Sequence, residues 1–224
     1  MAEQATLRLN PYLPWLDHGG RVSPFKTAVF MLLFLPGLYV AWQLATHGYA
    51  RPYILANHDL GDWAIRLLFL ALAVTPLRQS LGLPKLIQVR RMVGVAAFCY
   101  ALAHFVFFAL DKSLQIGVVA REIALRYYLT IGFVGLLILL ALAATSTDGM
   151  IRRMGGKKWA ALHRLVYGAG ALALDLLLER RGPGRLSYLF ARHWAIETVL
   201  VALLLVVIVF VGENHVLPFV YFQF

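Results

Sequence analysis

Charge is what this sequence has least of. Only 14% of its 224 residues are Asp, Glu, Lys or Arg, against about a quarter in a soluble domain. There is one cysteine, Cys99, which excludes a disulfide scaffold. Lying inside an apolar run, its thiol reads as buried and inert. No low-complexity tract or collagen-like glycine period is present, so the disordered and fibrous classes fall away. A phosphate-cradling glycine loop, Cys/His zinc spacing and a nucleophile–base constellation are also missing. Nothing points to a soluble catalytic site. What is there instead is apolar: 61% of the chain is hydrophobic. A soluble domain of this size still exposes about a quarter to a third of its chain surface and could not hide so much. The composition predicts an all-α fold, a polytopic membrane helical bundle surrounded by lipid.

Acids are scarcer than bases, 11 against 21, for a net charge of +10. In a soluble chain that excess would suggest nucleic acid. Here the bases gather in short connectors between apolar runs, so no nucleic-acid partner is expected.

A spanning helix needs about 20 predominantly apolar residues. About six transmembrane helices are expected, at 27–45, 63–77, 92–110, 128–145, 160–178 and 194–212. The second is short unless it begins within Asp62-Trp63 and continues past Pro76. Segment 113–127 carries Arg121, Glu122 and Arg126 among apolar residues and reads as a helix lying at the interface. The first apolar run is too long for a signal-peptide core, so no cleavable signal is expected. The whole chain, 1–224, reads as one transmembrane domain, with a cytoplasmic segment 1–26 and a tail 213–224. Alternate connectors differ in charge. Arg8, Arg21, Lys26, Arg78, Lys85, Arg90, Arg91, Arg152, Arg153, Lys157 and Lys158 lie on one side, and Arg51, Lys112, Arg121 and Arg126 on the other. The richer side should be cytoplasmic, which puts the N-terminus inside. The connector 179–193, with Arg180, Arg181, Arg185 and Arg192, breaks this pattern.

Of the seven histidines, His18, His47, His193 and His215 fall in or beside connectors, and His58 lies just before the second span, at the interface. His104 and His163 sit inside apolar runs, where a polar side chain is costly and marks a functional site. Each imidazole is either a ligand or hydrogen-bonded to a neighbouring helix. Neutral imidazole is the common axial ligand of haem iron, and bundles hold such cofactors between inward-facing side chains. Small residues flank both: Ala101 and Ala103 beside His104, and Gly168, Ala169, Gly170, Ala171 and Ala173 after His163. They leave room for a flat macrocycle or for close helix packing. Arg90, Arg91 and Arg164 either pair with haem propionates or belong to an ordinary basic membrane edge.

The chain also carries Gly61-Asp62-Trp63-Ala64-Ile65-Arg66, Leu72-Ala73-Val74-Thr75-Pro76-Leu77-Arg78, Arg90-Arg91-Met92-Val93-Gly94 and Tyr100-Ala101-Leu102-Ala103-His104. Further on come Ala144-Thr145-Ser146-Thr147-Asp148-Gly149-Met150 and Trp159-Ala160-Ala161-Leu162-His163-Arg164-Leu165-Val166-Tyr167. In order and spacing, over residues 12–170, it resembles the haem-binding subunit family of the protein-methionine-sulfoxide reductase system, MsrQ (YedZ), within the ferric-reductase-like transmembrane group. The resemblance implies a bacterial inner-membrane subunit with one or two b-type haems and no catalysis of its own. It would pass electrons from the quinone pool or a flavin reductase to a periplasmic molybdenum-containing methionine-sulfoxide reductase. It also implies FMN, for which there is no local signature. His104 and His163 match two of the family's haem-ligand histidines. The third, expected 13 residues after His163, is replaced by Leu176, beside Asp175, and beyond residue 172 the resemblance ends.

Helix rise separates the two histidines in depth. His104 is 13 residues beyond Arg91, about 20 Å at 1.5 Å per residue, whereas His163 is 5 residues beyond Lys158, about 7–8 Å. Axial ligands of one iron sit about 4 Å apart across it, given metal–nitrogen bonds of about 2 Å. One outer and one inner haem, each with one identified ligand, are therefore expected. The alternatives are a cytochrome b subunit of another quinone-linked oxidoreductase, and a cofactor-poor scaffold or transporter.

Overall fold

The computed structural model describes residues 14–16, 21–46 and 48–179. The expected span 194–212, most of the connector before it, and His18, His47, His193 and His215 lie outside the described residues. In chain order come α1 (Pro24–Thr46), α2 (Pro52–Leu81), a 3-10 turn (Pro84–Leu86), α3 (Ile87–Asp111), α4 (Ile116–Leu125), α5 (Tyr127–Ala144), α6 (Asp148–Met154), α7 (Gly156–His163) and α8 (Leu165–Glu179). An isolated bridge between Leu16 and Val22 is the one β-type pairing among the described residues.

Four of these helices, α1, α2, α3 and α5, are long and apolar enough to cross a membrane. The second begins eleven residues before the expected 63–77. His58, Asp59 and Asp62 interrupt the apolar run without interrupting the helix, because polarity alone does not end a hydrogen-bond ladder. Pro52 opens it at the first turn, where a missing N–H costs nothing. The expected interfacial helix is α4, after a tight turn through Ser113 and Leu114. The fifth expected span is not one continuous helix. It is interrupted at Arg164, between α7 and α8. The backbone there stays right-handed (φ −66°, ψ −20°), and the Arg164 N–H still donates to Ala160 O at 3.2 Å. The chain therefore keeps its direction from α7 into α8. Gly155, at φ +76°, makes the turn from α6 into α7, a conformation that favours glycine.

Contacts join α2 to α3, α3 to α5, α5 to α8 and α8 back to α2, closing a four-helix ring, with α1 laid against α2 and α3. The seam between α2 and α3 follows helical spacing. Ala56, Leu60, Ala64, Leu67 and Ala71 are buried on one side, and Val89, Val93, Ala97 and Tyr100 on the other. His104 continues the α3 stripe one turn beyond Tyr100. Cys99 lies on the opposite face of that helix and is exposed, not buried as its apolar run suggested. Three of the small residues of α8 are used in packing, while Gly168 faces open space and Ala171 is exposed. Ala169 and Ala173 are buried, and a Cβ on Gly170 would stand 2.7 Å from Leu72 Cδ1 of α2. Outside the ring, α1 exposes Met31, Leu32, Leu35 and Leu38, each by more than half, a surface suited to lipid.

One end of the ring, called here the basic end, gathers Arg78, Lys85, Arg90, Arg91, Arg152, Arg153, Lys157 and Lys158 on the α2–α3 turn, α3, α6 and α7. The N-terminus of α2 and the C-terminus of α3 lie at the other.

Candidate functional site

The structure separates the two intramembrane histidines. His104 sits toward the end away from the bases, against the second turn of α2. Its Nδ1 is 2.6 Å from the main-chain oxygen of Asn57. A carbonyl only accepts, so Nδ1 carries the ring proton and Nε2 carries the lone pair. The approach is possible because of Gly61. A Cβ there would stand 2.7 Å from Nδ1 and 2.9 Å from Cε1 of the imidazole. The Asn57 amide oxygen Oδ1, on the same turn, is buried with no hydrogen-bond partner among the described residues.

His163 closes α7 at the basic end. Its ring stacks on Trp159, one turn earlier, with centroids 4.0 Å apart. Its Nε2 is 3.2 Å from Thr145 Oγ1, just past the end of α5. The Thr145 hydroxyl has one proton, and Ala141 O at 2.8 Å and Leu142 O at 3.2 Å receive it. Toward the imidazole it therefore accepts, and Nε2–H donates. Trp159 Nε1 donates to Thr145 O at 2.9 Å, satisfying a carbonyl that the end of α5 leaves without a helical partner.

Of the expected arginines, Arg90 and Arg91 lie near enough to act electrostatically on His163. Arg91 is also paired with Asp148 of α6 at 2.5 Å. Arg164 is exposed at the α7–α8 junction. None of the three is at the His104 end. His104 lies 13 helical residues beyond Arg91 along α3, about 20 Å of helix rise, whereas His163 lies at the basic end with Arg91.

Tested against a haem, the His104 site fits. Metal-bound histidines donate their other ring N–H to a carbonyl, which fixes tautomer and orientation, and His104 has that bond. The orphaned atom on the same turn, Asn57 Oδ1, is an acceptor and would need a donor, which an ionised haem propionate does not offer. Leu176 follows Ala169 and Ala173 at helical spacing on α8 and has no atom that could ligate a metal, so of these residues His104 is the one that would hold the group. His163 fits through Nε2 only if its ring leaves Thr145.

Two features escaped the sequence reading. Tyr100, one turn before His104, inserts its hydroxyl into the ladder of α1. It donates to Leu33 O at 2.7 Å and accepts from Gly37 N–H at 2.8 Å, standing between the two groups that an unbroken helix would pair. Pro36 beside them, inside α1, was the available signal. The second is a charged stripe on α2, Asp59, Asp62 and Arg66 at helical spacing, with the Arg66 guanidinium 5.0 Å over the Trp63 ring. Ionisable residues inside a span are themselves a signal, here hidden because the apolar run was begun after them.

The profile of the family described as ferric reductase like transmembrane component matches residues 60–174. A protein-methionine-sulfoxide reductase heme-binding subunit MsrQ from Ralstonia nicotianae is 40% identical over 66% of this chain and 70% of its own. The Rhizobium meliloti protein of the same name is 38% identical over 82% of this chain and 85% of its own. No stretch ending at residue 172 could supply that coverage, so this similarity runs into the last third. The magnetosome protein MamZ of Magnetospirillum gryphiswaldense is 33% identical over 76% of this chain but only 28% of its own length. No solved structure matches. With His104 and His163 each inside a matched motif, the helical ring and the extent of these similarities lead to one conclusion: the chain belongs to the MsrQ family of ferric-reductase-like transmembrane proteins.

Proposed function

We propose that this protein is the haem-b-bearing electron-transfer subunit of a bacterial inner-membrane methionine-sulfoxide reductase system. It takes electrons from the quinone pool or a flavin reductase and delivers them to a periplasmic molybdenum-containing partner. The observation that carries the reading is His104, whose Nδ1–H···O=C bond leaves Nε2 as the coordinating nitrogen. When bound, haem iron supplies a reversible one-electron site. His104 would hold the outer one from α3, and His163 would hold the inner one if its ring turned from Thr145. Arg90 and Arg91 provide positive charge beside His163 for propionates, and Arg164 at the junction is a further candidate. The reading assigns no residue to FMN. The basic end faces the cytoplasm, by the excess of Lys and Arg in its connectors, and the His104 end faces the periplasm.

The name of the relatives supports the sulfoxide-reductase partner. The similarity to part of the longer MamZ favours a second reading, in which the same bundle serves another oxidoreductase. One experiment separates them. Membrane vesicles containing the protein are reduced with a quinol while haem absorbance is followed. Reoxidation that requires both the periplasmic sulfoxide reductase and methionine sulfoxide supports the first reading. Reoxidation indifferent to that partner supports the second, and no reducible haem band refutes both.

A further inference from the structure

We propose that Gly61 is a positioning residue for His104, setting which ring nitrogen faces the iron. The proposal rests on the haem reading above. In a helix the carbonyl of residue 57 points along the axis at the N–H of residue 61, and the side chain at 61 screens that carbonyl from a neighbouring helix. With no side chain there, the Asn57 carbonyl is open on the α3 side, and the His104 imidazole occupies the place of the missing methyl. The contact is specific. A Cβ at Gly61 meets Nδ1 at 2.7 Å, Cε1 at 2.9 Å and Cγ at 3.4 Å, all atoms of one ring, whereas a Cβ at Gly94, Gly132 or Gly135 meets nothing within 4 Å. Two of those distances are too short for real carbon contacts, so any side chain at 61 moves the imidazole. Moving it breaks the bond to Asn57 O, the acceptor that keeps the proton on Nδ1.

Glycine is a poor helix former, and in the middle of a long helix it needs a reason. Here the reason is an acceptor for histidine rather than room for a haem face. The acceptor is main chain, so no substitution at 57 removes it, and Gly61 is the one place where side-chain change can close it.

The test uses the full-length protein purified with its haem, as Gly61→Ala and as Gly94→Ala, a glycine removal that meets open space. Gly61→Ala should weaken haem affinity by roughly 10–100-fold, the usual effect of losing a partner behind a metal-bound histidine. It should also shift the midpoint potential and low-spin signals of the His104 haem, with Gly94→Ala unchanged. Haem affinity, potential and spectra in Gly61→Ala that match Gly94→Ala would overturn the proposal. A second measurement needs neither a substitution at 61 nor haem. Solid-state NMR of ¹⁵N-histidine-labelled protein in bilayers, with the His104 signal identified by its loss in His104→Ala, should find the proton on Nδ1. A proton on Nε2 instead refutes the role of Gly61. Protein free of haem whose His104 is protonated on Nδ1 defeats the haem reading while supporting the positioning.

Discussion

The two ends of the ring hold their histidines by different means. His104 is gripped by main chain, Asn57 O in front and the bare Cα of Gly61 beneath it, inside the tightly packed seam of α2 and α3. His163 is gripped by side chains, stacked on Trp159 and facing Thr145, where α7 meets α8. A main-chain grip fixes one tautomer and is hard to remove by substitution. A side-chain grip holds the imidazole in a position it can leave, and His163 must leave Thr145 to offer Nε2. On the proposed reading, the His104 site would be organised before any ligand arrives, and the His163 site would need its ring to turn first.

That contrast can be broken most forcefully at Trp159. Trp159→Ala removes a stacking contact of about 1 kcal/mol and a hydrogen bond of about 1 kcal/mol, so a stability loss of about 2 kcal/mol is expected in thermal unfolding. His163 should lose its fixed orientation while the His104 spectrum stays unchanged. Tyr100→Phe comes next. It withdraws the hydroxyl from between Gly37 N–H and Leu33 O, but these groups can then bond each other, so the cost should be about 1 kcal/mol. Hydrogen exchange at Gly37 is the direct readout. A larger loss would mean that Pro36, inside α1, prevents these two groups from bonding each other.

Smaller still is the pair joining α3 to α6 at the basic end. Arg91 and Asp148 are both about half exposed, and exposed ion pairs contribute about 0.2–1 kcal/mol. A double-mutant cycle with Arg91→Gln and Asp148→Asn should return a coupling in that range that fades with salt. The smallest effect is expected at the His104 end. Asn57→Ala keeps the carbonyl that His104 uses and removes an amide whose Oδ1 is orphaned, so stability and the ring proton of His104 should be almost unchanged. If Asn57→Ala shifts the His104 ¹⁵N signal as strongly as Gly61→Ala, the grip is not main chain.

How much of this was legible followed the chemistry of each residue. The apolar runs placed α5 to within one residue at each end, α1 to within three and α3 to within five, because about twenty apolar residues in lipid leave few other options. The start of α2 was hidden by His58, Asp59 and Asp62, polar residues in a helix that nonetheless continues. The interruption at Arg164 has no residue signal, since its backbone departs only slightly from the helix. His104 and His163 stood out because imidazoles are rare in apolar runs. Their partners did not stand out equally. Trp159 and Thr145 are side chains and lie in recognisable stretches. The Asn57 carbonyl is a group that every residue carries, and only Gly61 betrays its use. Small residues were ambiguous on sequence, and Gly170 proved to be a packing residue against Leu72.

The central claim is that the two imidazoles serve separate sites at opposite ends of the bundle. Its most direct test is a potentiometric titration of haem absorbance in the unsubstituted protein, His104→Ala and His163→Ala. The account expects two b-type components, with one lost in His104→Ala and the other in His163→Ala. Loss of the same single component in both variants would mean that the histidines share one iron, contradicting their placement at opposite ends of the bundle.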